Sequence, residues 1–255
     1  MEQKAEQIVT SSKKIRRSVY LLPSAFTVAN MFAGFYAVIS SLNEHYEAAA
    51  IAIGIAVVLD GLDGRIARLA NATSDFGVEL DSLADVISFG LAPALLIFSW
   101  GPVEFGKFAQ FSAFLFLICG AIRLARFNLK LGDSGYSSGL PIPAAAGFLA
   151  ATVHLFGKPP QSELFKFYLA GIILLLSLLM ISTIRYPSLK KLNFGYGKSH
   201  LNVLVLGMIV AGVIWYSKQV LMSIATLYVC SGLFVLGYQF IRHHTRGSER
   251  VSTRV

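Results

Sequence analysis

Charged side chains are scarce, making up only 14% of the 255 residues. Soluble domains carry roughly a quarter. A chain that is 55% hydrophobic, with a mean hydropathy of +0.63, has too little polar surface to cover such a core in water. A soluble globular enzyme is therefore excluded, which leaves a membrane protein. Cysteine is almost absent. Cys119 and Cys230 each lie within an apolar run, which excludes a secreted disulfide framework and a zinc site of paired thiolates; both read as core residues. His45, His154 and His200 are isolated near the ends of apolar runs, and His243 and His244 sit in the tail, so no histidine metal pattern is present. The net charge of +8 does not imply nucleic acid, because the basic residues occupy short segments between apolar runs rather than one soluble face.

Crossing a bilayer takes about 20 apolar residues per helix. Eight stretches qualify: 19–42, 46–61, 77–100, 108–127, 140–156, 164–184, 200–216 and 219–241. The expected fold is an all-α polytopic helical bundle. Its domains are a basic N-terminal segment 1–18, a transmembrane catalytic domain 19–241 and a basic tail 242–255. The first 18 residues are polar and basic, with no small-residue cleavage signature after them, so no cleaved signal peptide is expected. An even number of spans puts both termini on one side. That side holds 18 of the 22 Lys and Arg residues, the other only Lys107, Lys158, Lys166 and Lys218. The positive-inside rule makes the termini cytoplasmic. Small residues such as Ala50 and Gly54, or Gly90 and Ala94, read as helix packing contacts.

The most informative residues are acidic. Asp60, Asp63, Gly64 and Ala67 fall at i, i+3, i+4 and i+7, one stripe of a helix. Gly77, Asp81 and Asp85 fall at i, i+4 and i+8, one stripe of the next. Asn71, Thr73, Ser74 and Asp75 between them favour a turn and a helix N-cap. The two helices are then antiparallel, and orientation sets all four aspartates at their cytoplasmic ends, facing one another. Ionisable groups at membrane depth are costly and mark transport or chemistry. Four converging carboxylates repel, and divalent cations relieve that repulsion. All-oxygen ligation suits Mg²⁺, Mn²⁺ or Ca²⁺ rather than zinc, and two such ions balance four negative charges and leave room for an anionic phosphate. Gly64 and Gly77 would let a substrate approach the backbone. The structural alternative is interfacial ion pairing of these aspartates with Arg65, Arg68, Arg123 and Arg126.

Written out, Asp60-x2-Asp63-Gly64-x2-Ala67-Arg68-x8-Gly77-x3-Asp81-x3-Asp85 resembles the signature of the CDP-alcohol phosphotransferase family, with every defining position met. The resemblance implies a membrane enzyme that moves a substituted phosphate from a CDP-linked donor to an alcohol and releases CMP. It implies two divalent cations, Mg²⁺ or Mn²⁺, held by Asp60, Asp63, Asp81 and Asp85, with Asp85 as general base on the acceptor hydroxyl. It also implies a CDP-donor site at Asp60, Gly64, Ala67, Arg68, Gly77 and Asp81.

The segments 81–94, 123–128 and 139–144, and 22–30 in the first span, are similar to the bacterial and archaeal branch of that family that condenses CDP-diacylglycerol with L-serine. Ser24 stands where that branch leads one to expect Asn. The branch implies a prokaryotic inner or plasma membrane, a cytoplasmic active site and a homodimer. Arg123 and Arg126, three apart on one helical face, reach the aspartates' level and suit a diphosphate or a serine carboxylate; positive-inside anchoring is the plainer account. Lys130, Lys190 and Lys191 read as headgroup contacts, and Arg65 points away from the Asp60 stripe. Pro93, Pro141 and Pro143 read as cavity-shaping residues or as ordinary kinks and helix starts. Thr27 and Asn30 either line the pocket or bond a neighbouring helix. Two alternatives stay open, namely another acceptor (glycerol 3-phosphate or an inositol phosphate) and a cation transporter. Transporters commonly carry repeated halves, and the sequence has no second acidic cluster.

Overall fold

The computed structural model of the chain describes residues 25–69, 74–101, 106–129, 139–159, 162–184, 186, 216–232 and 234, without the side chains of 67–69 and 163. Among the described residues every regular element is helical: α1 Ala25–Leu42, α2 Tyr46–Leu69, α3 Asp75–Trp100, α4 Gly106–Leu129, α5 Ile142–Phe156, α6 Glu163–Ile181 and α7 over 217–232. Among the described residues four helical stretches are long and apolar enough to cross a membrane: α1, α3, α4 and Leu164–Ile181 of α6. α2 has the length, with 24 residues, but carries Glu47, Asp60, Asp63, Arg65 and Arg68. Each of the first six expected spans overlaps a helix, but residues 140–141 of the fifth and 182–184 of the sixth are not helical, and α5 has only 15 residues. Of the last two, 200–216 lies outside the described residues apart from Tyr216, and 219–241 is helical through residue 232. Segments 1–18 and 242–255 also lie outside them.

α2 continues past residue 61 to Leu69, because intrahelical hydrogen bonds do not stop where hydropathy falls. Ala49, Ile53 and Ala56 are buried along one stripe of α2, and Asp60 and Asp63 extend that stripe. The opposite face exposes Ile51, Ile55 and Val58, as Phe111 and Phe114 are exposed on α4 and Phe167 and Leu178 on α6. Small residues inside and large apolar residues outside suit a lipid environment, where close packing rather than water drives helix association. Cys119 is buried, as expected, and Cys230 is half-buried.

α3 lies at the centre, against α2, α4 and α5, while α4 packs along α6 and α2 along α5. It is not uniform. Asp75–Asp85 and Ala92–Trp100 are α-helical, but Val86–Leu91 forms a π turn in which the Ala92 amide donates to the Ile87 carbonyl. Pro93 accounts for it, since its ring has no N–H and would collide with the carbonyl four residues earlier, at Phe89; widening the preceding turn relieves both problems. α1 crosses this turn closely. Ser88 Oγ donates to the Asn30 carbonyl at 2.9 Å, and a Cβ on Gly34 would come within 2.6 Å of Ser88 Cα.

Polar contacts close the end of the bundle remote from the motif. Trp100 Nε1 donates to the Gly157 carbonyl at 2.8 Å, and the Tyr46 hydroxyl to that of Ser99 at 3.0 Å. His154, isolated in the sequence, meets Ser217 Oγ at 3.0 Å and Glu47 at 3.5 Å, and Lys218 reaches the same Glu47 oxygen at 3.3 Å. These contacts tie α7 to α2 and α5.

Candidate active site

The motif divides between the C-terminal half of α2 and the N-terminal half of α3. Ser74 caps α3, its hydroxyl accepting from the Gly77 amide at 3.0 Å, with Asp75 in the first turn, where a negative charge favours the helix dipole. The expected cap is thus Ser74; Asn71 and Thr73 lie outside the described residues. Because the π turn begins only at Val86, Asp81 and Asp85 keep the α-helical spacing that stacks them on one face.

The antiparallel pairing brings the carboxylates together. Oxygens of Asp60, Asp63 and Asp81 all lie within 4.8 Å of one another. Asp63 is buried, and Asp60 and Asp81 are half-buried. Asp85 sits one turn deeper along α3, is buried, and interacts electrostatically with Asp60, Asp81 and Asp63. Its Oδ1 has no hydrogen-bond partner among the described residues. Buried acceptors are normally satisfied, so an unmatched carboxylate oxygen beside three clustered carboxylates suits a cation. The hard, all-oxygen donor set fits Mg²⁺ or Mn²⁺. Gly64 has nothing within 4 Å of where a Cβ would stand, leaving the backbone open beside Asp63. At Gly77 a Cβ would stand 3.1 Å from Ser74 Oγ, so that glycine also serves the cap. Ala67 and Arg68 lie in the last turns of α2, and their side chains are outside the described residues.

Neighbouring helices hold these groups. Thr27 of α1 donates to Asp63 Oδ2 at 3.3 Å, a bond to the neighbouring helix made at one of the clustered carboxylates. Asn128 of α4 donates to Ser82 Oγ at 2.9 Å, beside Asp81, and Ser82 in turn donates to the Val78 carbonyl at 3.0 Å. The two α4 arginines separate. Arg123 is buried and interacts with Asp85 and Asp60, with its guanidinium 5.9 Å from the Phe127 ring centroid. Arg126 instead donates to the Ile181 carbonyl at the end of α6. Arg65 is exposed, as expected.

Sequence reasoning gave no part to Tyr186 or to Tyr228 of α7. Tyr228 interacts electrostatically with Arg123, and Tyr186 stacks on Tyr228 with ring centroids 5.9 Å apart. A tyrosine in an apolar helix has no local signature that would have revealed this.

The described residues thus form a helical bundle with apolar helices long enough to cross a membrane and a cluster of three carboxylates on two antiparallel helices that could hold a metal ion. The profile of the CDP-alcohol phosphatidyltransferase family matches residues 20–183. The chain belongs to that family. It is similar to the CDP-diacylglycerol–serine O-phosphatidyltransferase of Helicobacter pylori strain J99, with 39% identity over 228 residues, 88% of this chain and 91% of the relative. It is also similar to the archaetidylserine synthase of Methanothermobacter thermautotrophicus, 39% identical over 69% of this chain and 73% of the relative. A third relative is the CDP-diacylglycerol–serine O-phosphatidyltransferase of Methanocaldococcus jannaschii, 39% identical over 71% of this chain and 80% of the relative.

Proposed function

We propose that the chain transfers the phosphatidyl group of CDP-diacylglycerol to the hydroxyl of L-serine, giving phosphatidylserine and CMP. The observation that carries this is the meeting of Asp60, Asp63 and Asp81 within 4.8 Å, at the spacing of the family motif, in a chain whose relatives are named for that transfer. Asp60, Asp63, Asp81 and Asp85 would hold two divalent cations, Mg²⁺ or Mn²⁺, which when bound neutralise the diphosphate and the departing CMP.

The chain's own groups do the rest. Asp85 accepts the proton of the serine hydroxyl, whose oxygen attacks the phosphorus bearing diacylglycerol. The bond from that phosphorus to the oxygen bridging to cytidylate breaks, and CMP leaves. Asp60, Gly64, Ala67, Arg68, Gly77 and Asp81 form the donor site, with Gly64 admitting the diphosphate close to the backbone. Thr27 and Asn128 orient Asp63 and the Ser82 turn beside Asp81. Arg123 supplies the cation for the serine carboxylate.

The reading extends to topology. A basic segment 1–18, a catalytic membrane domain 19–241 of eight spans and a tail 242–255 place termini and site on the cytoplasmic side of a prokaryotic inner or plasma membrane, in a homodimer. Donor tails then come laterally from the bilayer, and serine comes from water.

Purified protein is incubated with CDP-diacylglycerol and Mg²⁺ or Mn²⁺, and CMP release is compared for serine, glycerol 3-phosphate, an inositol phosphate and no acceptor. Serine-dependent CMP release that stops on chelation is the expected result. Release with another alcohol and not with serine would overturn the acceptor, and no release with any alcohol would overturn the transfer.

A further inference from the structure

A mostly apolar groove opens at the end of the bundle remote from the acidic cluster, where the C-terminal end of α3 meets the N-terminal parts of α4 and α6. Ile97 and Phe98 of α3 and Leu169 and Ile173 of α6 form its walls, and Ser112 of α4 and Lys166 of α6 line it as well. Lys166, Leu169 and Ile173 stand at i, i+3 and i+7, so the groove follows one stripe of α6 for about 10 Å at a helical rise of about 1.5 Å per residue.

Both polar residues are placed against the usual rule. A lysine near the end of a membrane helix normally carries its ammonium out to water, and Lys107 and Lys158 at the same end are exposed. Lys166 is only 6% exposed. It also lies in the first turn of α6, its amide donating to the carbonyl of the cap residue Ser162 at 3.3 Å, where the helix dipole disfavours a positive charge. Apolar surroundings and the dipole both penalise the ammonium, and an anion in the groove offsets both. Ser112 is 1% exposed, and its hydroxyl has no hydrogen-bond partner among the described residues. Ser41, Ser177 and Ser223, also on helices, donate to the carbonyl four residues earlier. Ser112 instead keeps its donor for a group from outside the bundle.

A cation and a hydroxyl beside an apolar channel complement a phospholipid, with the phosphate at the lysine and a hydrocarbon chain along the walls. A free phosphate would leave the walls unmatched, and an uncharged lipid would leave the lysine unmatched. We propose that this groove binds an anionic phospholipid, its phosphodiester held by Lys166, Ser112 donating to a lipid oxygen, and one acyl chain lying along Ile97, Leu169 and Ile173. The site is distinct from the acidic one, because Asp85 and Ile97 are roughly 18 Å apart along α3 at that helical rise. A lipid seated there bridges three helices and stabilises their packing by mass action.

The test uses the full-length protein, delipidated in detergent and titrated with phosphatidylglycerol, with phosphatidylcholine of the same chains and with inorganic phosphate. Lipid adducts are read by native mass spectrometry, alongside the melting temperature. Wild type should bind phosphatidylglycerol more tightly than phosphatidylcholine and melt higher with it, and inorganic phosphate should shift nothing. Asp81→Asn, which alters only the acidic site, should bind the lipid as wild type does. Lys166→Gln should weaken binding about fivefold, equivalent to roughly 1 kcal/mol for one basic residue meeting anionic lipid. Ala170→Phe, which sets a ring into the groove, should abolish it; if that variant does not fold, Lys166→Gln carries the test. Equal affinity in Lys166→Gln and wild type, equal binding of phosphatidylcholine, or loss of the adduct in Asp81→Asn would overturn the proposal. An equal melting shift from inorganic phosphate would overturn it too, by assigning the site to the free ion.

Discussion

Thr27 of α1 donates its hydroxyl to Asp63 Oδ2 of α2 at 3.3 Å, so a helix that contributes no carboxylate nonetheless sets the orientation of one. The contact is buried, where a hydrogen bond to a charged group contributes about 1.5–3 kcal/mol.

Partners that orient a metal-binding carboxylate typically alter metal affinity about 10- to 100-fold when removed. Thr27→Val keeps the shape and deletes the donor. The Mn²⁺ or Mg²⁺ concentration for half-maximal CMP release should rise by about that factor, and Thr27→Ser should restore it. Metal titration of the three proteins decides the matter; an unchanged midpoint in Thr27→Val would make the contact incidental.

Asp81→Asn tests the cluster itself. The substitution preserves shape and removes one of three charges within 4.8 Å of one another. CMP release should fall to background while the protein elutes and melts like wild type, since relieving repulsion among carboxylates does not cost stability. Near-native turnover would sink the cation site.

The carboxylate site was legible because helical spacing is a local property. Residues at i, i+3 and i+4 share a face whatever the tertiary structure, so Asp60 with Asp63 and Asp81 with Asp85 could be placed before any contact was known. The Ser74 cap was legible for the same reason. The π turn at Val86–Leu91 was not, since an apolar run looks alike in α and π register and only Pro93 hints at the difference. Nor could Arg123 be separated from Arg126. Both lie on one face of α4, and the groups that part them, Asp85 and the Ile181 carbonyl, come from other helices. The stacking of Tyr186 on Tyr228 depends on where α7 returns to the bundle, which short-range pattern does not encode.

The crossing of α1 and α3 gives a stability prediction. A Cβ at Gly34 would stand 2.6 Å from Ser88 Cα, a backbone atom that cannot yield without moving the helix. Gly34→Ala should destabilise by about 1–3 kcal/mol, the usual cost of overpacking, lowering the melting temperature in detergent. Gly54→Ala is the control, because nothing lies within 4 Å of its Cβ position. Equal melting of the two variants would contradict the close crossing.

Orientation is tested through the 18 of 22 basic residues assigned to the side of the termini. Ser188 follows the sixth expected span in sequence, which on the proposed topology puts it on that side. With Cys119 and Cys230 replaced by Ala, an introduced Ser188→Cys should react with an impermeant thiol reagent only in inverted vesicles. Labelling of intact cells would reverse the topology.

The arginine pair yields the sharpest contrast. Arg123 is buried against Asp85 and Asp60, whereas Arg126 donates to the Ile181 carbonyl and so fastens the end of α6 to α4. Equal positions on one helical face would lead one to expect equal roles, but the partners argue for different ones. Arg123→Gln should reduce turnover at low serine about tenfold or more, given about 1.5–3 kcal/mol for a charge-assisted hydrogen bond, with melting little altered. Arg126→Gln should do the reverse, lowering the melting temperature through loss of the carbonyl contact and leaving the serine KM of the surviving protein near wild type. Kinetics against serine and thermal melting, measured on both variants, separate the assignments. If Arg126→Gln raised the serine KM and Arg123→Gln did not, the acceptor carboxylate would have to be placed at the α6 end of the site, and the part given to Asp85 as the base would need to move with it.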